Sequence, residues 1–161
     1  MAETFKVGIA DLHVCSAPDM VTTIGLGSCV GIAIRDPALK IGGLVHIMLP
    51  DSTQISGSTN LAKFADTGIE ELVRQLEKKG CNRWRMEAKI AGGAQMFAFH
   101  SKTDLAGVGT RNAEAAKSKL KELGIPLKAE DIGKDYGRTV IYYPENGNYE
   151  IRAVGKHVII I

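Results

Sequence analysis

TTIGLGSCVGIAIRDPALKIGGLVHIMLP (residues 22–50) contains two short apolar segments, CVGIAIRD and KIGGLVHIML, rich in β-branched residues. They are joined through Asp36 and Pro37, residue types that suit a tight connection, so the pair reads as two neighbouring strands. In front of them a polar turn runs through Gly25 and Gly27 into Cys29. Glycines spaced in this way bring backbone N–H groups close to an anion, and a thiolate is an anion.

Working outward, FKVGIADLHVCS forms a β-branched opening segment, and DSTQISGSTN is a polar loop feeding a helix over LAKFADTGIEELVRQLEKKG. In that helix Leu61, Phe64, Ala65, Ile69, Leu72, Val73 and Leu76 recur near helical period, and Gly80 supplies the stop. RWRMEAKIAGGAQMF reads as a strand ending in a glycine turn. NAEAAKSKLKELG reads as a second helix, capped by Thr110 or Asn112 and ended by Gly124 and Pro126. LKAEDIG, RTVIYY and YEIRAV are strands, with a hairpin signal at Asn146 and Gly147. The terminal KHVIII is either an inner strand or an edge. The expected architecture is mixed α/β (α+β): a single domain over residues 1–161, a layered sandwich of mixed sheets flanked by two main helices.

Composition narrows the function. The 161 residues carry 20 Lys+Arg against 18 Asp+Glu, a net charge of +2 that gives no footprint for nucleic acid. No apolar run reaches the roughly 18 residues of a membrane span, and no signal segment opens the chain, so a cytoplasmic protein without membrane insertion is expected. Cys15, Cys29 and Cys81 are odd in number and lack CxxC spacing, which indicates neither disulfides nor a metal site; no cofactor is expected. Gly25, Gly27 and Gly31 suggest a dinucleotide fingerprint, but the third glycine of that motif falls on Val30, and no P-loop occurs.

A nucleophile uses every part of the turn. Backbone N–H groups at Gly27 and Ser28, beside Cys29, suit an oxyanion or substrate site, and a histidine would take the thiol proton. Of His13, His46, His100 and His157, His46 stands in the strand expected to pair with the one that Cys29 begins, so the two residues occupy facing strand ends. A packed cysteine and a half-buried, hydrogen-bonded histidine explain the same spacing. Cys15 and Cys81 read as packing residues, His13 and His100 as surface or loop residues, and Ser28 equally as a turn former. Gly92 and Gly93 fit either close approach of another backbone or a plain turn.

TTIGLGSCVGIAIRDP followed by GGLVHIMLP closely resembles the CheD family, the chemoreceptor glutamine deamidases. KIAGGAQMF, GVGTRNAEAAKSKLKELGI and EDIGKDYGRTVIYYPENGNYEI resemble later blocks of that family in the same order, so the likeness spans nearly the whole chain. It implies a catalytic cysteine, histidine and threonine at Cys29, His46 and Thr23, and a fold like that of deamidating toxins. It also implies hydrolysis of glutamine side chains in methyl-accepting chemotaxis receptors, and the CheC phosphatase as a second partner. The alternative is an adaptor that acts through CheC alone. One departure is visible: Lys134 stands where relatives commonly carry glycine.

Overall fold

The computed structural model describes residues 2–54, 57, 59–96 and 107–161; His100 lies outside them. In chain order the elements are β1 (Thr4–Val7), β2 (Leu12–Ser16), β3 (Met20–Leu26), β4 (Val30–Asp36), β5 (Ile41–Ile47), α1 (Ala65–Lys78), β6 (Glu87–Gly92), α2 (Val108–Glu122), β7 (Leu127–Ile132), β8 (Arg138–Tyr143), β9 (Asn148–Arg152) and β10 (Ile159–Ile160). One sheet has the order β1-β3-β8-β9-β10 and the other β2-β5-β4-β6-β7. Among the described strand pairs, β1/β3 and β6/β7 are parallel and the others antiparallel.

The layers follow from the alternation of side chains along each strand. Val21 and Leu26 of β3, Val140 and Tyr142 of β8, Ala33 of β4 and Leu44 of β5 meet between the two sheets. The opposite face of β4 and β5, with Val30, Ile32, Ile34, Val45 and Ile47, packs under Ile69, Leu72, Val73 and Leu76 of α1 and Ala113, Ala116 and Leu120 of α2. Strand β4 is therefore covered on both sides, which explains its nearly unbroken apolar run. Both helices lie on one face of the second sheet, giving three layers.

Several sequence expectations change. The turn before Cys29 is shorter than expected, because Gly25 belongs to strand β3, whose β-branched residues extend and whose two threonine hydroxyls find backbone carbonyls on neighbouring strands. The opening segment divides into β1 and β2, one in each sheet, and His13 is a strand residue stacked on Phe5 with ring centroids 4.3 Å apart. Helix α1 starts at Ala65; Leu61 sits on the preceding 3₁₀ turn and stays exposed. Helix α2 begins at Val108 behind Gly107, so Thr110 and Asn112 lie inside it, and neither caps it. Strand β10 is an edge, with Ile159 and Ile160 exposed.

Candidate active site

Antiparallel pairing of β4 with β5 sets Gly31 opposite His46 and Val30 opposite Ile47. Cys29 immediately precedes β4, so the strand ends bring the thiol and the imidazole to the same rim of the sheet. His46 lies two residues after Leu44 and Thr23 two after Val21, so both share the face that points between the sheets. Cys29 packs against the same inter-sheet cluster and is half-buried. The three residues thus converge from two sheets.

Their hydrogen bonds fix the histidine. Thr23 Oγ1 lies 2.8 Å from the Val7 carbonyl and 2.7 Å from His46 Nδ1. A carbonyl only accepts, so the single hydroxyl proton goes to Val7, and Thr23 Oγ1 accepts from Nδ1–H. Nε2 is then the unprotonated nitrogen, and it has no hydrogen-bond partner among the described residues. A neutral ring with its lone pair free is the form a general base requires.

Burial works on both partners. It pulls the His46 pKa down from 6.5 to about 4, so the ring is neutral at neutral pH. It pushes the Cys29 thiol up, opposed in smaller part by the residue's own backbone N–H, which favours the thiolate. At neutral pH the site therefore holds a thiol and a neutral imidazole. Cys15 and Cys81 are buried and inert, their thiols pushed up by desolvation to about 12 and about 11.

The turn that carries Cys29 is held through three consecutive carbonyls. Gly27 O accepts from Ala94 N–H at 2.9 Å, Ser28 O from Asn112 Nδ2 at 2.9 Å, and Cys29 O from Gly93 N–H at 2.8 Å. Gly27 N–H is itself used locally, donating to Gly25 O at 3.1 Å. Gly92 has φ +110°, and a Cβ there would overlap the Cys29 carbonyl oxygen. The paired glycines thus seat the β6 end against the cysteine turn. On the sequence alone Asn112 looks like a helix cap; its side chain instead reaches the cysteine turn, a contact no local pattern announces.

The chain aligns over 97% of its length with a relative from Lachnoclostridium phytofermentans, at 57% identity and 97% of that protein. The chain belongs to the CheD family. That relative carries the name probable chemoreceptor glutamine deamidase CheD. A protein of the same name from Caldanaerobacter subterraneus is 50% identical, with 98% of this chain and 97% of that one aligned. Another from Clostridium botulinum is 55% identical over 93% of each. The family model, described as CheD chemotactic sensory transduction, matches residues 48–153, which begin after Thr23, Cys29 and His46. In fold, the CheD chain is similar to the crystal structure of a Neisseria meningitidis protein of the DUF152 family, with a TM-score of 0.55 at 10% identity, over 91% of this chain and 76% of that one. Among the described residues no helix is long and apolar enough to cross a membrane, and no three His, Cys, Asp or Glu side chains gather as a metal site.

Proposed function

We propose that this chain is a protein-glutamine deamidase that converts glutamine side chains of methyl-accepting chemoreceptors to glutamate through a thioester on Cys29. The observation that carries the reading is the Thr23–His46 hydrogen bond, which leaves a buried, neutral Nε2 as the free base at the rim where Cys29 turns.

The steps follow from those groups. His46 Nε2 takes the Cys29 proton as the sulfur attacks the carboxamide carbon, and the carbonyl π pair moves to oxygen. Backbone N–H groups of the turn, Cys29 and Ser28 foremost, hold the oxyanion. Collapse re-forms the carbonyl and breaks the C–N bond, and the proton on Nε2 goes to the departing nitrogen to give ammonia. His46 then deprotonates a water that attacks the thioester; C–S cleavage returns the proton to sulfur and releases glutamate. Thr23 keeps the proton on Nδ1 throughout, as the third member of other triads does, though without a negative charge. Receptor cytoplasmic regions are helical, so the substrate glutamine projects from a helix, and free glutamine is a poor substrate by this reading.

The test is mass spectrometry of a receptor cytoplasmic fragment incubated with wild type, Cys29→Ala and His46→Ala. Each deamidation adds about one dalton, the amide-to-acid exchange of the chemistry above. Wild type is expected to produce the shift at defined glutamines, and both folded variants to lose it. An unmodified receptor, or full activity of Cys29→Ala, leaves the adaptor that acts through CheC.

A further inference from the structure

We propose that Asn112 is a positioning residue that sets the Cys29 oxyanion donor, a role that rests on the deamidase reading above. Asn112 is fully buried on the second turn of α2. Its amide nitrogen donates to Ser28 O and to Met48 O, both at 2.9 Å. One planar group therefore ties the residue before the nucleophile to the residue two beyond the base. Both acceptors are carbonyl oxygens, so the side chain must present nitrogen on that side, and its Oδ1 is left buried without a partner among the described residues. Asparagine is a weaker helix former than alanine, and an unpaired buried acceptor is costly, so neither packing nor helix propensity accounts for its presence.

The peptide plane supplies the link to chemistry. Ser28 C=O and Cys29 N–H belong to one trans peptide and point in opposite directions. Holding the carbonyl toward α2 therefore fixes the direction of the Cys29 N–H, away from α2. That is the donor that an oxyanion on the attacked carbon requires. The clamp itself is seated tightly: Gly109, on the first turn of α2, lies so close to the β6 end that a Cβ there would overlap the Ala94 carbonyl oxygen.

The full chain carrying Asn112→Ala or Asn112→Asp tests this against a receptor cytoplasmic fragment. Asp keeps the shape but offers oxygen to two carbonyls, so it separates loss of the donor from loss of volume. Both variants are expected to lower kcat by about 10- to 100-fold with KM within about twofold of wild type. The second readout is alkylation of Cys29 by iodoacetamide across pH. That displacement develops no oxyanion, so its limiting rate at alkaline pH, where the thiol is ionised, is expected to stay within about twofold of wild type. The proposal is overturned by a kcat near that of wild type, by a fall in alkylation that parallels the fall in kcat, or by loss of the cooperative unfolding transition in both variants; the last two make Asn112 purely structural. An inactive wild type overturns the deamidase reading, and the positioning role with it, whereas an active wild type with unimpaired variants overturns the positioning role alone.

Discussion

Thr23 Oγ1 accepts from His46 Nδ1–H at 2.7 Å while donating its own proton to the Val7 carbonyl at 2.8 Å. Thr23 and His46 stand on strands of different sheets, so the imidazole of one sheet is oriented by the other. The parallel β1/β3 pair sets Val7 beside Thr23 and supplies the acceptor that commits the hydroxyl.

Thr23→Val removes that acceptor and keeps the shape. The Nδ1–H is left buried and unpaired, and the proton shifts toward Nε2, where it blocks base catalysis. Receptor deamidation should fall by about 100-fold, and Thr23→Ser should restore most of it. Single-turnover ammonia release measures both, and equal rates for Thr23→Val and wild type would refute the orienting role.

The cysteines should separate by reactivity. Iodoacetamide is expected to modify Cys29 in the folded protein and to spare Cys15 and Cys81, which are buried and poorly ionised. Because burial raises the Cys29 thiol, the rate should climb through the alkaline range, with no plateau near neutrality. Peptide mapping after timed quenching gives the rates; a fast plateau between pH 6 and 7 would mean a preformed ion pair.

Acid should destabilise the fold in two stages. His46 has a folded pKa of about 4 against 6.5 unfolded, so the unfolded chain binds the extra proton between those values. Stability is therefore fully present above pH 6.5 and declines as pH falls toward 4, by on the order of 3 kcal/mol. Asp36 is held at about 2, against 3.8, chiefly by its hydrogen bonds from Arg85, so its contribution is present above pH 3.8 and is lost below, toward pH 2. Urea unfolding at pH 7, 6, 5 and 4 should show the first stage in wild type and a much flatter profile in His46→Gln.

Two positions with positive φ should respond in opposite directions. Lys134 holds φ +64°, a left-handed conformation that costs a side-chain residue about 1–2 kcal/mol, so Lys134→Gly should stabilise by up to about 1 kcal/mol after the entropy of glycine is counted. Gly92→Ala, at φ +110° against the Cys29 carbonyl, should cost stability and displace the cysteine turn, with deamidation lost first. Denaturant midpoints and receptor deamidation, measured on both variants, decide the matter.

Much was legible along the chain. The β-branched runs on either side of Asp36 and Pro37 specify an antiparallel pair, and its register puts Cys29 and His46 at one rim; the apolar spacing from Ala65 to Leu76 specifies α1. These are local signals, because side-chain period and turn chemistry act over a few residues. The family blocks add Thr23 by position, though nothing near it in sequence says what it touches.

The remainder belongs to contacts between residues far apart. That β3 extends through Gly25 depends on β1 and β8 on either side, whose carbonyls take the threonine hydroxyls. That Asn112 reaches Ser28 and Met48, 84 and 64 residues away, depends on how α2 lies on β4 and β6. The tautomer of His46 and the burial that lowers its pKa arise only once two sheets enclose it. The sequence alone determined the strand pair, the facing ends that carry Cys29 and His46, and the candidate thiol, since each rests on neighbouring residues. Which proton His46 holds and which way the Cys29 peptide faces were decided by tertiary packing, because both depend on partners that only the folded chain brings within hydrogen-bond distance.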